Sequence, residues 1–469
     1  MSEKLKEGEW KKTQMNKKRS AFSGKIGYVL SAAGASVGLG NIWRFPYLAA
    51  KYGGGIFLLV YIILALTFGY TMIVAESALG RMTRKSPVGA FRSFTKGKKV
   101  GWLSFGGWIN AIIPVLIVPY YSVIGGWVVK YLFEYIRGNG SKLAEDGYFS
   151  GFISNGGATE ICFVIFCMFT LVIIYAGVQN GIERVSKIMM PILIILSVII
   201  AIYSVTRPGA IEGVKYFLVP NIKNFSWMTV VAAMGQMFYS LSIAMGILVT
   251  FGSYMRKDTS IEDSTRNVEI FDTAIAMMAG LMIIPAVFAF SGGDPDTLQA
   301  GPSLMFITIP KVFANMGFGT AVGILFFVLV LFAAVTSSIA LTESAVSTFE
   351  DELGWGRKKA TILTGVIMIA LGTLSCLGYG PLDFVKIIGM QFLDFFDFLT
   401  NSVMMPIAAL MTSLLVSRVI GVDKIEEEIR HGESAFRRKK IFVVMIKYLC
   451  PIFALIILAS SVANAFGWI

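Results

Sequence analysis

Gly34-Ala35-Ser36-Val37-Gly38-Leu39-Gly40-Asn41-Ile42-Trp43-Arg44-Phe45-Pro46 is the stretch on which the fold turns. It lies in an apolar run, 25–49, long enough to cross a bilayer, yet it sets three glycines in seven residues and follows them with an amide. Glycine weakens a helix by about 1 kcal/mol relative to alanine, and Asn and Ser compete for backbone hydrogen bonds. A break here frees amides and carbonyls that lipid cannot satisfy, so they must line a cavity or an ion site. A second run, 229–256, is interrupted in the same way. It contains Gly235-Gln236 and then Tyr239-Ser240-Leu241-Ser242-Ile243-Ala244-Met245-Gly246. Glycines in membrane helices often serve only close packing. That reading leaves the polar Asn41, Ser240 and Ser242 without a reason.

Beyond these two stretches, the 469-residue chain is 55% hydrophobic and 15% charged, with a mean hydropathy of +0.71. Soluble domains average about 25% charged residues. Apolar runs fall near 25–49, 55–82, 102–135, 159–177, 182–206, 229–256, 264–291, 318–350, 358–378, 388–418 and 441–466. A helix needs roughly 20 such residues to cross a ~30 Å hydrocarbon layer, and barrel strands are only about ten long. The fold class expected is all-α integral membrane, with about eleven transmembrane helices. The interrupted runs are the first and sixth, the leading helices of two five-helix halves, 25–206 and 229–418. Five is odd, so the halves enter from opposite sides, a 5+5 inverted repeat with broken helices 1 and 6. Paired breaks of this kind mark a transporter's midplane site. Residues 1–24 form the N-terminal segment, 419–440 a loop in which Asp423–Lys440 is expected as a surface helix, and 441–469 the eleventh helix and C-terminus. The stretches 136–158, 207–228 and 292–317 are the larger loops on the other side, punctuated by Gly, Pro and Asn.

The formal charge of +12 does not require a nucleic-acid partner. With the N-terminus cytoplasmic, roughly 30 of the 41 Lys and Arg residues fall in inside segments, as the positive-inside rule demands. They gather at Lys4–Lys25, Arg81–Lys99, Arg357–Lys359 and Arg418–Lys440. The chain is therefore expected as a multi-pass cell-membrane protein whose odd span count sends the C-terminus outside. The first 24 residues are polar and basic and precede a full span, so no cleavable leader is expected. Cys162, Cys167, Cys376 and Cys450 lie in or beside apolar runs without metal-ligand spacing and read as packing residues. The lone histidine, His431, sits in a basic loop. Gly38-Leu39-Gly40 has Trp43 where a dinucleotide fingerprint needs its third glycine. No catalytic constellation is present, and an enzyme is not expected.

Asn41, Ser240, Asp272, Thr336 and Ser337 put side-chain oxygens into apolar runs. Oxygens suit a hard cation such as sodium, and the carbonyls of a broken helix add more. An intramembrane carboxylate such as Asp272 is by default a functional position; the alternative is a simple pair with Arg266. Arg44 needs an acid, which Asp394 or Asp397 could supply, and Arg19 could pair with Asp351; such pairs serve as gates or as ordinary interfacial charges. Glu76 has no evident partner. Tyr120, Tyr121 and Tyr239 could wall a pocket, although membrane aromatics mostly pack or form belts. Pro114 and Pro119 in the third run suggest a kink.

GASVGLGNIWRFP at 34–46 closely resembles the first-span signature of the neurotransmitter:sodium symporter family, whose bacterial amino-acid transporters share the leucine-transporter fold. The likeness continues through Gly53-Gly54-Gly55, Glu76, Gly80-Arg81, Tyr120-Tyr121 with Trp127, and GQMFYSLS at 235–242. It runs on through Tyr254-Met255-Arg256-Lys257, TSSIA at 336–340 and FEDEL at 349–353, so it spans nearly the whole chain. The resemblance implies two sodium sites. The first would use Asn41, Ser240, the Ser36 carbonyl and the substrate carboxylate, with Asp272 beside it. The second would use Thr336 and Ser337 with the carbonyls of Gly34, Val37 and Ala333. It also implies a substrate pocket at Gly38, Gly40, Ile117, Tyr121, Tyr239, Ser242, Met245, Ser337 and Leu341, with Tyr121 on the carboxylate and Tyr239 as lid. Arg44 with Asp397 would be the outer gate and Arg19 with Asp351 the inner one.

Departures from the family pattern carry information. Monoamine members have an aspartate where this chain has Gly38, so an amino acid, which brings its own carboxylate, fits better. Chloride-dependent members carry Asn and Ser in span seven, where this chain has Asp272; a fixed carboxylate replaces the anion. Phe22 stands where the family has an inner-gate tryptophan. The function expected is sodium-coupled, chloride-independent import of a neutral, hydrophobic or aromatic L-amino acid by alternating access. The rivals are a proton-coupled amino-acid permease of a related fold and, from another class, a channel or receptor.

Overall fold

The computed structural model describes residues 20–292 and 301–466, and among them it is all-α, with no strand. In chain order the spans are α1 (Lys25–Ser36, then 40–51), α2 (Gly55–Thr83), α3 (Gly101–Ile136), α4 (Gly156–Tyr175) and α5 (Val178–Val205). They continue with α6 (Trp227–Ser240, then Ile247–Tyr254), α7 (Ile261–Ser291), α8 (Gly319–Leu353), α9 (Arg357–Leu377), α10 (Phe392–Ile420) and α11 (Lys439–Ala463). Nine of these are long and apolar enough to cross a membrane unbroken; the other two are α1 and α6. The interruptions fall where the glycine-rich stretches put them. Short helices occupy the connections, among them Pro87–Thr95, Ala210–Leu218 and Val422–Arg430.

Each break has a local cause. In α1 the helix ends at Ser36, Val37 turns extended, and the Gly38 N–H finds the Asn41 Oδ1 at 3.1 Å. In α6, Ser242, Ala244 and Gly246 all take positive φ values, 53°, 59° and 69°. Alternating left-handed residues cannot continue a right-handed helix, and each non-glycine there costs roughly 1–2 kcal/mol. Polar contacts offset that cost. The Ser242 hydroxyl donates to the Ala35 carbonyl at 3.0 Å, and the Ala244 N–H donates to the Glu76 carboxylate at 2.9 Å. Glu76, partnerless in sequence, thus holds the sixth span open.

Two expectations need correction. The charged segment 423–440 is not one surface helix: its first helix ends at Arg430, the next begins only at Lys439, and between them Gly432 lies so close to the 259–260 backbone that a Cβ would sit 2.7 Å from the Thr259 oxygen. The tenth span starts at Phe392 rather than near 388, because Ile388 and Gly389 take positive φ in a turn. The α3 prolines lie inside one helix, Ser104–Ile136. Pro114 has no N–H to give the Asn110 carbonyl, and Gly246 of the α6 break packs there, its Cβ position only 2.5 Å from that oxygen.

Candidate substrate and ion site

The two breaks meet around a small cavity that α3 and α8 close from the side. Its wall includes all nine residues expected to touch substrate: Gly38, Gly40, Ile117, Tyr121, Tyr239, Ser242, Met245, Ser337 and Leu341. Ala35, Ser36, Leu39, Asn41 and Ile247 complete it, so no charged side chain lines it. The glycines are there because neighbours press on them. A Cβ at Gly38 would lie 2.6 Å from the Ser337 hydroxyl and 3.2 Å from that of Tyr121, and one at Gly40 would lie 2.4 Å from the Tyr239 ring.

Part of the cavity wall is polar. The Leu39 N–H donates to the Tyr121 oxygen at 3.3 Å. Residue 40 begins the second half of α1, and the dipole of that helix end favours an anion. The wall also carries the apolar side chains of Ile117, Met245, Ile247 and Leu341.

Asp272 is fully buried beside this end of α1. Its Oδ1 accepts from the Asn41 amide and the Ser240 hydroxyl, both at 2.8 Å, and its Oδ2 accepts from the Tyr61 hydroxyl at 2.7 Å. The alternative pairing with Arg266 does not form: that guanidinium turns to Asp263, 3.9 Å away. The Asn41 amide also donates to Ser240 at 2.9 Å, and Gln236 donates to the Gly40 carbonyl at 3.0 Å. Tyr61 and Gln236 were given no role by sequence. A tyrosine in an apolar run carries no spacing signal, and only the packing of α2 on α7 puts Tyr61 here.

A second oxygen cluster lies between α1 and α8. The Ser337 hydroxyl is within 3.3 Å of the Gly34 carbonyl and 3.4 Å of the Val37 carbonyl. Thr336 donates to the Ala333 carbonyl at 3.2 Å, and a Cβ at Gly34 would lie 3.2 Å from the Thr336 Cβ. Oxygens gathered so closely suit a hard, compact cation.

The gate residues divide. Arg44 sits over the Tyr239 ring, 5.4 Å from its centroid, and no ion pair joins it to Asp397 among the described residues. Asp397 instead accepts from Tyr120 at 3.1 Å and Asn401 at 2.5 Å, while Asp394 accepts from Tyr379 at 3.2 Å. Arg19 lies outside the described residues; its expected partner Asp351 accepts the Ser86 N–H at 2.6 Å. Phe22 is buried edge-on against Tyr28, Phe251 and Tyr254, and its N–H donates to the Tyr254 carbonyl at 3.1 Å. A buried phenylalanine thus stands at the position where the family pattern has a tryptophan.

Two broken helices meeting over an enclosed, largely apolar cavity in a multi-pass bundle define a membrane transporter. The chain belongs to the sodium:neurotransmitter symporter family, whose family model matches residues 19–141 and 148–467. It is a transporter that uses sodium to move a small molecule, not an enzyme. It is 34% identical to the uncharacterized sodium-dependent transporter YhdH of Bacillus subtilis, over 94% of this chain and 97% of that one. Human sodium- and chloride-dependent GABA transporter 2 is 26% identical, over 88% of this chain and 75% of its own. Among solved structures, the crystal structure of MhsT in complex with L-phenylalanine superposes with a TM-score of 0.84 at 36% identity, covering 95% of this chain and all of that one.

Proposed function

We propose that the chain imports a neutral, hydrophobic or aromatic L-amino acid with sodium, without chloride, by alternating access. The observation that carries this reading is the cavity's mixed lining: the Tyr121 hydroxyl and the start of the second half of α1 together with four apolar side chains, and no charged side chain. The substrate carboxylate binds the start of the second half of α1 and Tyr121. Its ammonium faces the carbonyl end of Lys25–Ser36, and its side chain enters the space between Ile117, Met245 and Leu341. The L-phenylalanine in the MhsT structure supports a substrate of this class.

Two sodium ions accompany it. The first is held by Asn41, Ser240, the Ser36 carbonyl and the substrate carboxylate, and the second by Thr336, Ser337 and the carbonyls of Gly34, Val37 and Ala333. Asp272, bonded to two first-site residues, supplies the fixed negative charge that a chloride ion would otherwise bring. Arg44 and Asp397 close the outer side, Arg19 and Asp351 the inner one, and the N-terminus is cytoplasmic. Competition against sodium-dependent binding of L-[³H]phenylalanine tests the substrate class. Leucine, tryptophan and tyrosine should compete, while aspartate, lysine and carboxylate-free phenethylamine should not. Equal competition by phenethylamine would remove the carboxylate from the first sodium site.

A further inference from the structure

The connection after the helix Pro87–Thr95 reads Lys96-Gly97-Lys98-Lys99 and leads directly into α3. All three lysines are exposed, and none forms an ion pair among the described residues. Several other basic groups are paired. Lys25 and Arg437 reach Asp263, Arg438 reaches Glu269, Lys439 reaches Glu426, and Arg92 reaches Glu352. The first turns of α3 then place Trp102, Phe105 and Trp108 at i, i+3 and i+6, on one side of the helix, and they are 61%, 61% and 42% exposed.

The opposite side of α3 explains why these rings point outward. Gly106 and Gly107 let the helix Pro87–Thr95 pack flush, since a Cβ on either would fall within 2.9 Å of Phe91. One face of α3 is thus committed to protein, and the other is an aromatic strip with three unpaired ammonium groups at its foot. Tryptophan rings settle at headgroup depth, and clustered lysines just outside a span attract anionic lipid.

We propose that this loop and strip bind the headgroup of an anionic phospholipid, the lysines on its phosphate and the rings along its glycerol and upper acyl chains. A bilayer lipid is favoured over a soluble anion because the aromatic strip runs on from the lysines into the span, where only a molecule with an acyl tail continues. The site adjoins the end of α8. Ser86, which precedes the helix Pro87–Thr95, donates to Asp351 at 2.6 Å, and Arg92 pairs with Glu352 at 2.8 Å, both at the end of α8. A bound lipid therefore steadies the α2–α3 connection against α8.

Native mass spectrometry of the full-length protein, extracted from vesicles of phosphatidylcholine with or without phosphatidylglycerol, tests this directly. The wild type should retain phosphatidylglycerol, and the triple variant Lys96→Gln/Lys98→Gln/Lys99→Gln should retain several-fold less. Sodium-driven uptake should rise with phosphatidylglycerol for the wild type only, with equal uptake by both proteins in phosphatidylcholine alone. Trp102→Ala/Trp108→Ala should also lower retention. Equal retention by wild type and triple variant, or none by either, overturns the proposal whatever the transported substrate is.

Discussion

At Gly38 the place for a Cβ is already taken by two hydroxyls, those of Ser337 and Tyr121. Gly38→Ala must displace one of them, and overpacking of this kind costs about 1–3 kcal/mol. Substrate affinity is expected to fall roughly tenfold, which corresponds to about 1.4 kcal/mol; unchanged binding in a scintillation proximity assay would show that the two hydroxyls do not face the ligand. Asp272→Asn keeps the shape but removes the charge, so transport should become chloride-dependent, and chloride-free transport at the wild-type rate would count against the fixed-charge role. Most of these residues were legible in the sequence because oxygen-bearing side chains in apolar runs need a reason. Tyr61 and the partner of Glu76 were not. Each is defined by a contact some 170 to 210 residues away, between Tyr61 and Asp272 and between Glu76 and Ala244.

Among elements, the contact of α2 with the second half of α6 depends on reciprocal glycines. A Cβ at Gly80 would lie 2.0 Å from the Val249 carbonyl oxygen, and one at Gly252 would lie 2.5 Å from the Ser77 oxygen. Small residues let membrane helices approach closely where lipid gives no hydrophobic drive. Gly80→Ala should push the helices apart and cost about 1–3 kcal/mol. A lower midpoint in a thermal-shift assay is expected, and an unchanged midpoint would mean that the contact is loose. Hydropathy located every span, and the glycine clusters located both breaks, since each depends on local composition. The left-handed Ser242 and Ala244 were not foreseen, because their conformation is paid for by Ala35 and Glu76 on other helices. The helix end at Arg430 was likewise hidden, being set by the packing of Gly432 on Thr259.

At the scale of the whole molecule, Phe22 packs against Phe251 and Tyr254, and Tyr239, which lines the cavity, lies under Arg44. The Arg44–Asp397 pair expected from sequence does not meet, because Arg44 stacks over the Tyr239 ring and Asp397 accepts from Tyr120 and Asn401. Below the span ends, fully buried Arg81 of α2 bonds Glu428 at 2.6 Å and the Thr259 carbonyl at 2.6 Å, tying the 422–430 helix to the α6–α7 connection. An arrangement with a central site works as a coupled carrier only if the ion gradient drives the substrate. Uptake of L-[³H]phenylalanine into proteoliposomes, with an inward sodium gradient and gluconate replacing all chloride, measures this most directly. Accumulation above equilibrium that vanishes when potassium replaces sodium is expected; equal uptake with either cation, or none until chloride is restored, would rule out sodium-coupled, chloride-independent transport.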